Sequence, residues 1–289
     1  MNLSINKLSA AIATLLTLTF ATASQAQSIS QALRGNSQNT TENYFEIGLG
    51  YTNHEGPSTN PRKLDWTGSY SIFNWSYNYK GFFLERFADK FTESTDPFVI
   101  GYNAYTNDNW SFDIIGSSKN PGLKLIGVAM GGENNGQEID FVTRDSDFMI
   151  GGRLSGYFGN NILQFSVSQD IRRHHGRMAS ALVGRNWQLR NWNFHGLLGV
   201  QYSDSTTNDY YKGVRQEEAD RSSFTAYQAG AGFNYNAEVG VTYPINEDWV
   251  YRATATVVSY SDEQLNSPMY HSTSGSTSTT FSTSISYVF

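Results

Sequence analysis

The chain has 289 residues with 26 Asp+Glu against 20 Lys+Arg, a net charge of −6 that gives no reason to expect nucleic acid as a partner. It contains no cysteine, so disulfides and acylation as a lipoprotein are both excluded. Aromatic residues make up 15% and glycines number 26, at a mean hydropathy of only −0.45. A soluble core hides aromatics, but the short alternating segments described below cannot all face one core.

In chain order, Met1 to Lys7 carry one positive side chain, Leu8 to Phe20 are apolar or small, and Ser24-Gln25-Ala26 places small residues where a signal peptidase reads. This is the pattern of a secretory signal peptide, residues 1–26, cut after Ala26. Residues 27–43 are then expected as a periplasmic N-terminal segment and 44–289 as one further domain. No later stretch has the roughly 20 consecutive apolar residues of a membrane-spanning helix.

From residue 44 on, the period is two. Phe45, Ile47, Leu49 and Tyr51 alternate with Glu46, Gly48, Gly50 and Thr52; Phe233 to Tyr243 and Trp249 to Val257 alternate in the same way. Such runs are half-buried strands. Twelve are expected, at about 44–53, 65–77, 80–87, 97–106, 109–117, 147–158, 161–171, 175–186, 191–203, 233–243, 248–259 and 279–289. In the second, the phase changes between Tyr70 and Phe73, which suggests a bulge and leaves ten to fourteen strands open.

The connections alternate too. Tight turns are expected at Asn78-Tyr79, Asn107-Asp108, Gly159-Asn160, Leu189-Arg190 and Pro244 to Glu247, and long polar loops at 118–146, 204–232 and 260–278. The short link at Arg172 to His174 is the exception. Aromatic residues sit near the ends of several strands, with aliphatic residues and glycine between them. An even strand number, alternating turns and loops, and aromatic ends predict an all-β fold: a closed antiparallel transmembrane β-barrel of about 12 strands in an outer membrane. A secreted β-sandwich alternates as well, but it does not explain the last nine residues. There Phe281, Ile285, Tyr287 and Phe289 share one parity against serines on the other, up to the carboxylate. These four are expected to form the assembly signal read by barrel-insertion machinery.

If the apolar face meets lipid, Glu46, Asp65, Glu85, Asp113, Arg153, Gln164, His195, Glu238 and Arg252 point into the lumen. They either line an aqueous path or pair across it, as Glu238 and Arg252 on neighbouring strands could do. Arg172, Arg173, His174, His175 and Arg177 cluster at a predicted rim, where they suit lipopolysaccharide phosphates. The alternative for His174-His175 with Asp170 is a hydrolytic site, which needs a hydroxyl within reach of a ring nitrogen. Glu138, Asp140, Asp145 and Asp147 lack the spacing of a calcium loop, and they read as a solvated acidic loop, as do Glu217, Glu218 and Asp220. No catalytic, cofactor or metal residues are nominated.

The stretch DYYKGVRQEEADRSSFTAYQAGAGFNYNAEVGVTYPINEDW, Asp209 to Trp249, resembles the tyrosine-glycine-valine element, acidic-alanine segment and glycine-rich strand of the MltA-interacting protein family (MipA/OmpV). LNSPMY, Leu265 to Tyr270, is similar to its Asp-Ser-Pro element, with Asn266 in place of Asp. RDSDFMIGG from Arg144 matches more loosely. The resemblance implies an outer-membrane barrel without catalytic residues. It also implies a scaffold or adaptor between a lytic transglycosylase and a peptidoglycan synthase, while other members are described as antigens, adhesins or porin-like proteins. Three functions therefore stand open: an envelope scaffold, a small-solute channel, and a rim hydrolase acting on lipid or peptide.

Overall fold

The computed structural model describes residues 43–59, 64–86, 98–120, 122–128, 138–271 and 275–289; the predicted signal peptide and nearly all of the 27–43 segment lie outside them. The strands are β1 (Tyr44–Glu55), β2 (Asp65–Tyr79), β3 (Phe82–Arg86), β4 (Phe98–Thr106), β5 (Trp110–Ser117), β6 (Leu123–Val128), β7 (Glu138–Arg144), β8 (Met149–Phe158), β9 (Asn161–Asp170), β10 (Arg177–Leu189), β11 (Trp192–Ser203), β12 (Gly232–Pro244), β13 (Trp249–Ser259) and β14 (Thr277–Val288). Twelve of them close into a barrel in the order β1-β14-β13-β12-β11-β10-β9-β8-β5-β4-β3-β2, and β6 and β7 form a separate hairpin.

Closure runs from Glu46 opposite Val288 to Glu55 opposite Thr279. It removes the free edge that a bilayer would not tolerate, because lipid offers unpaired backbone groups no partner. The amide of Phe289 donates to the Phe45 carbonyl at 2.9 Å, and its ring meets those of Phe45 and Tyr287 at centroid distances of 5.2 and 4.7 Å. The end of the chain is therefore part of the wall. Phe281, Ile285 and Phe289 are exposed on its outer face with Ile47, Leu49, Phe73, Val167 and Val239, as a lipid-facing belt requires.

Two expectations need correction in β2. Its register with β1 is unbroken from Ser76 to Asp65, so there is no bulge there. Tyr70 turns inward without a phase change because Gly50 opposite leaves room: a Cβ on Gly50 would lie 2.3 Å from the Tyr70 ring. The irregularity falls instead between Asn103 and Tyr105 of β4. The first tight turn is Lys80-Gly81, with φ of 50° and 86°, rather than Asn78-Tyr79, which still pair with Phe83 and Phe82. Both turn residues have the left-handed φ that lets a two-residue turn follow the strands' twist. Likewise the fourth turn is Arg190-Asn191, one residue beyond the expected position, since Leu189 pairs with Trp192.

The long loops fold. Besides the hairpin, they contain α1 (Ser205–Lys212), α2 (Gln216–Ala219) and α3 (Asp262–Leu265). Val142, Val214 and Met269 are buried together, with Leu123, Leu125, Phe141, Phe224 and Tyr227 packed around them. This small core lies at the end of the barrel opposite the tight turns and the chain's C-terminus. It makes the loops a cap with its own hydrophobic centre.

Candidate functional site

The lumen is packed with paired charge. Arg153 on β8 donates from Nη1 to Glu85 Oε1 on β3 and from Nε to Asp113 Oδ2 on β5, both at 3.0 Å. Asp113 also accepts from Asn103 at 2.8 Å, and the guanidinium lies 5.3 Å from the Phe83 ring. Across the barrel Arg252 bonds Glu46 and, at 2.9 Å, Ser286, while Asn74 donates to Glu46 at 3.0 Å. His195 Nε2 meets Glu238 at 2.9 Å, and Thr256 donates to the same carboxylate at 2.8 Å. Between these groups Tyr157, Ile162 and Leu197 form a buried apolar cluster with Leu182 against it. Glu46, Glu85, Asp113, Ser111, Ser155 and Ser286 are all almost wholly buried, so side chains rather than water fill this half of the lumen. Along β9 to β13 the lining is looser: Gln164, Ser166, Ser180, Asn236, Thr254 and Thr256 are half-buried.

Glu46, Glu85, Asp113, Arg153, Gln164, His195, Glu238 and Arg252 thus take the inward parity expected of them. Asp65 does not; with β2 unbroken it shares the parity of Phe73 and is exposed. The expected Glu238–Arg252 pair is also replaced. Arg252 reaches Glu46 past β14, and His195 on β11 takes Glu238. Strand adjacency alone could not reveal this choice, because each long side chain has several carboxylates within its sweep.

Above the lumen one carboxylate organises the link between β9 and β10. Asp170 accepts the amides of Phe148 and Arg172 on Oδ1, and those of Arg173, His174 and His175 on Oδ2, over 2.6 to 3.2 Å. Asp147 similarly accepts from the amides of Lys119 and Asn120 and from the Asn120 side chain. Asp147 is therefore a buried anchor and not a solvated loop carboxylate, whereas Asp145 is exposed; the side chains of Glu138 and Asp140 lie outside the described residues. Glu218 departs from expectation as well: both of its oxygens are bonded to Arg144, at 2.6 and 2.8 Å, in the interior of the cap. The alternation in 123–128 and 138–144 was the signal for the missed hairpin. Nothing local marked the Arg144–Glu218 pair, whose members lie 74 residues apart.

His174 is not a rim residue. It is buried between Tyr210 and Tyr211, at ring distances of 5.2 and 5.4 Å, and its Nδ1 accepts the Gly176 amide at 2.9 Å. That bond places the neutral ring's proton on Nε2, which has no hydrogen-bond partner among the described residues and lies 4.0 and 3.9 Å from Asp147 and Asp170. Neither His174 nor His175 bonds a serine or threonine hydroxyl among the described residues, so the hydrolytic pair is not assembled there. Burial lowers the His174 pKa from its ordinary 6.5, against the opposing pull of Asp170, Asp147 and Asp204. Below about pH 6.5 the unfolded cap binds a proton that the folded cap refuses, so cap stability falls with pH over that range. Amide exchange of residues 170–176 is expected to quicken between pH 7 and 5.5. His174→Asn, which keeps an acceptor but does not titrate, should flatten that dependence.

A closed barrel with an apolar outer wall, a polar lumen packed with side chains on one half and a folded cap is a transmembrane barrel of the outer-membrane class. The MltA-interacting protein MipA family matches residues 47–289, so the chain belongs to that family. Among its relatives, Outer membrane protein Omp26La of Vibrio anguillarum is 36% identical over 74 residues, 26% of this chain and 28% of that protein. The MltA-interacting protein of Escherichia coli (strain K12) is 33% identical over 72 residues, 25% and 29% of the two chains. Putative outer membrane protein YiaT of the same strain is 28% identical over 134 residues, 46% and 54%. These matches span from about a quarter to about half of the relatives' length. The solved Pseudomonas putida toluene transporter TodX covers 92% of this chain with 94% of its own at 12% identity and a TM-score of 0.38. OmpT of Vibrio cholerae gives 88% and 100% at 7% and 0.37. At such scores the architecture rests on the barrel's own strand pairing. The protein is an outer-membrane barrel, with its tight turns at one end and its folded cap at the other.

Proposed function

We propose that this barrel is a non-enzymatic envelope scaffold that holds peptidoglycan-remodelling enzymes, a lytic transglycosylase and a peptidoglycan synthase, at its periplasmic face. The observation that carries the reading is the packed half of the lumen. Arg153 is locked between Glu85 and Asp113 with side-chain exposures of 8%, 2% and 0%, which leaves that part of the barrel's interior no role in passage. Function then falls to its surfaces. The name of the Escherichia coli relative supports a transglycosylase partner, and the periplasmic turns together with residues 27–43 are the docking surface. The outward aromatic end at Phe281, Ile285, Tyr287 and Phe289 serves insertion into the membrane, in keeping with its place in the wall.

The test is capture. The barrel in lipid nanodiscs is expected to retain a purified lytic transglycosylase, and a nanodisc with an unrelated barrel should not. Failure to retain either murein enzyme would remove the proposal. The half-buried lining of β9 to β13 favours a narrow channel as the second reading. Stepwise currents in planar bilayers, with ion selectivity altered by Arg252→Glu, would establish it; the scaffold reading expects silence.

A further inference from the structure

We infer that the β9–β10 link is a built site for a phosphorylated glycolipid of the outer leaflet, held by Arg172, Arg173 and Arg177. Its backbone is fixed from below: the amides of residues 172 to 175 all point at the buried Asp170 carboxylate, and the Asp170 amide donates to the Gly176 carbonyl at 2.9 Å. His175 completes the reversal in the left-handed region, at φ 60°. With the amides turned inward and His174 buried, the side chains of Arg172, Arg173 and His175 are left outside. Arg177 joins them from the first position of β10, opposite Gln169; the alternate positions Met178 and Asn186 are the buried ones, so Arg177 faces outward. Its own amide is held by Asp204 at 2.8 Å.

The height of the cluster selects the ligand. On the outer wall, Val167 of β9 and Ile171 just past its end are 62% and 55% exposed and mark the lipid belt. Arg172 and Arg173 follow Ile171 in the chain, and Arg177 stands level with Gln169 between Val167 and Ile171, so the three arginines sit at the edge of that belt, at the level of headgroups on the capped side. Among the described residues, Asp145 is the one carboxylate ion-paired within the cluster, at 3.0 Å from Arg173. Three guanidiniums against one exposed carboxylate leave a positive excess, and their forked donors match phosphate oxygens. A free phosphate would satisfy the same donors. The exposed apolar side chains of Val167 and Ile171 beside them, on either side of Gln169, commit the site to a lipid, whose acyl chains would lie on those two residues.

The test uses the full barrel delipidated in detergent. Binding is measured to purified bisphosphorylated lipid A and to the same lipid after phosphate removal, with inorganic phosphate as competitor. The wild type is expected to prefer the phosphorylated lipid at least tenfold and to keep it in millimolar phosphate. R172Q/R173Q/R177Q should lose that preference, and R190Q, on the opposite rim, should keep it. Retained heat-modifiable mobility certifies that each variant is folded. Equal binding of both lipids, or an unchanged triple variant, overturns the inference. Displacement by inorganic phosphate alone would make this a free-anion site and overturn the lipid assignment.

Discussion

Replacing Arg153 with alanine is expected to destabilise the barrel by about 3–5 kcal/mol, because it strands two buried carboxylates that no water reaches. Asp113 would keep Asn103 as a donor. Glu85 would keep much less, since its Oε2 already has no hydrogen-bond partner among the described residues. The Phe83 ring would lose its cation as well. The triple neutral variant Glu85→Gln, Asp113→Asn, Arg153→Met is expected to recover most of the loss, because it removes the charges together and fills similar volume. Urea midpoints of the barrel in lipid vesicles measure both. If Arg153→Ala unfolds at the wild-type midpoint, Glu85 and Asp113 are hydrated, the lumen holds water, and the channel reading gains what the scaffold reading loses.

Glu218→Ala should cost a similar amount, about 3–5 kcal/mol, but in the cap alone. Arg144 is 1% exposed at its side chain. Without Glu218 it would retain the carbonyls of Tyr210, Gly213 and Thr143 and the Tyr210 ring at 5.7 Å, but no counter-charge among the described residues. The effect stays local because the cluster of Val142, Val214 and Met269 belongs to the loops and shares no member with the barrel clusters of Tyr157, Ile162 and Leu197 and of Phe83, Val99 and Ile115. Amide exchange in peptides spanning Val142, Val214 and Met269 should rise by roughly a hundredfold or more, at 1.4 kcal/mol per tenfold, while β1 and β14 stay protected. Burial alone would raise the Glu218 pKa, but its bonds to Arg144 and the Arg215 amide hold it below 4.5. The pair's contribution is therefore fully present above about pH 4.5 and is lost as pH falls through the lower folded value. A variant that loosens β1 and β14 along with the cap would show the two parts to be one cooperative unit.

The two effects separate because barrel and cap are held by different means. Backbone pairing closes the barrel, whereas side chains from loops distant in sequence close the cap. Asp170 belongs to both, as the last residue of β9 and the anchor of the link above it. The acid sensitivity expected of His174 therefore appears first at that junction.

The sequence by itself determined the wall. Alternation from Phe45 to Tyr51 and from Phe281 to Phe289 is a local property, since the backbone turns successive side chains to opposite faces whatever lies beyond. Strand number, closure and most inward residues were legible for that reason, and so was the family through Asp209 to Trp249. Only the tertiary structure decided what the inward residues do. It set Arg252 on Glu46 rather than Glu238, let Tyr70 turn inward over Gly50 without a bulge, buried His174 in what read as an exposed rim, and buried Asp147 and Glu218 in what read as solvated loops. Each of those outcomes depends on groups brought together across the barrel or between loops. Which partner a buried charge takes is set by distance and desolvation in three dimensions, and periodicity carries no information about either.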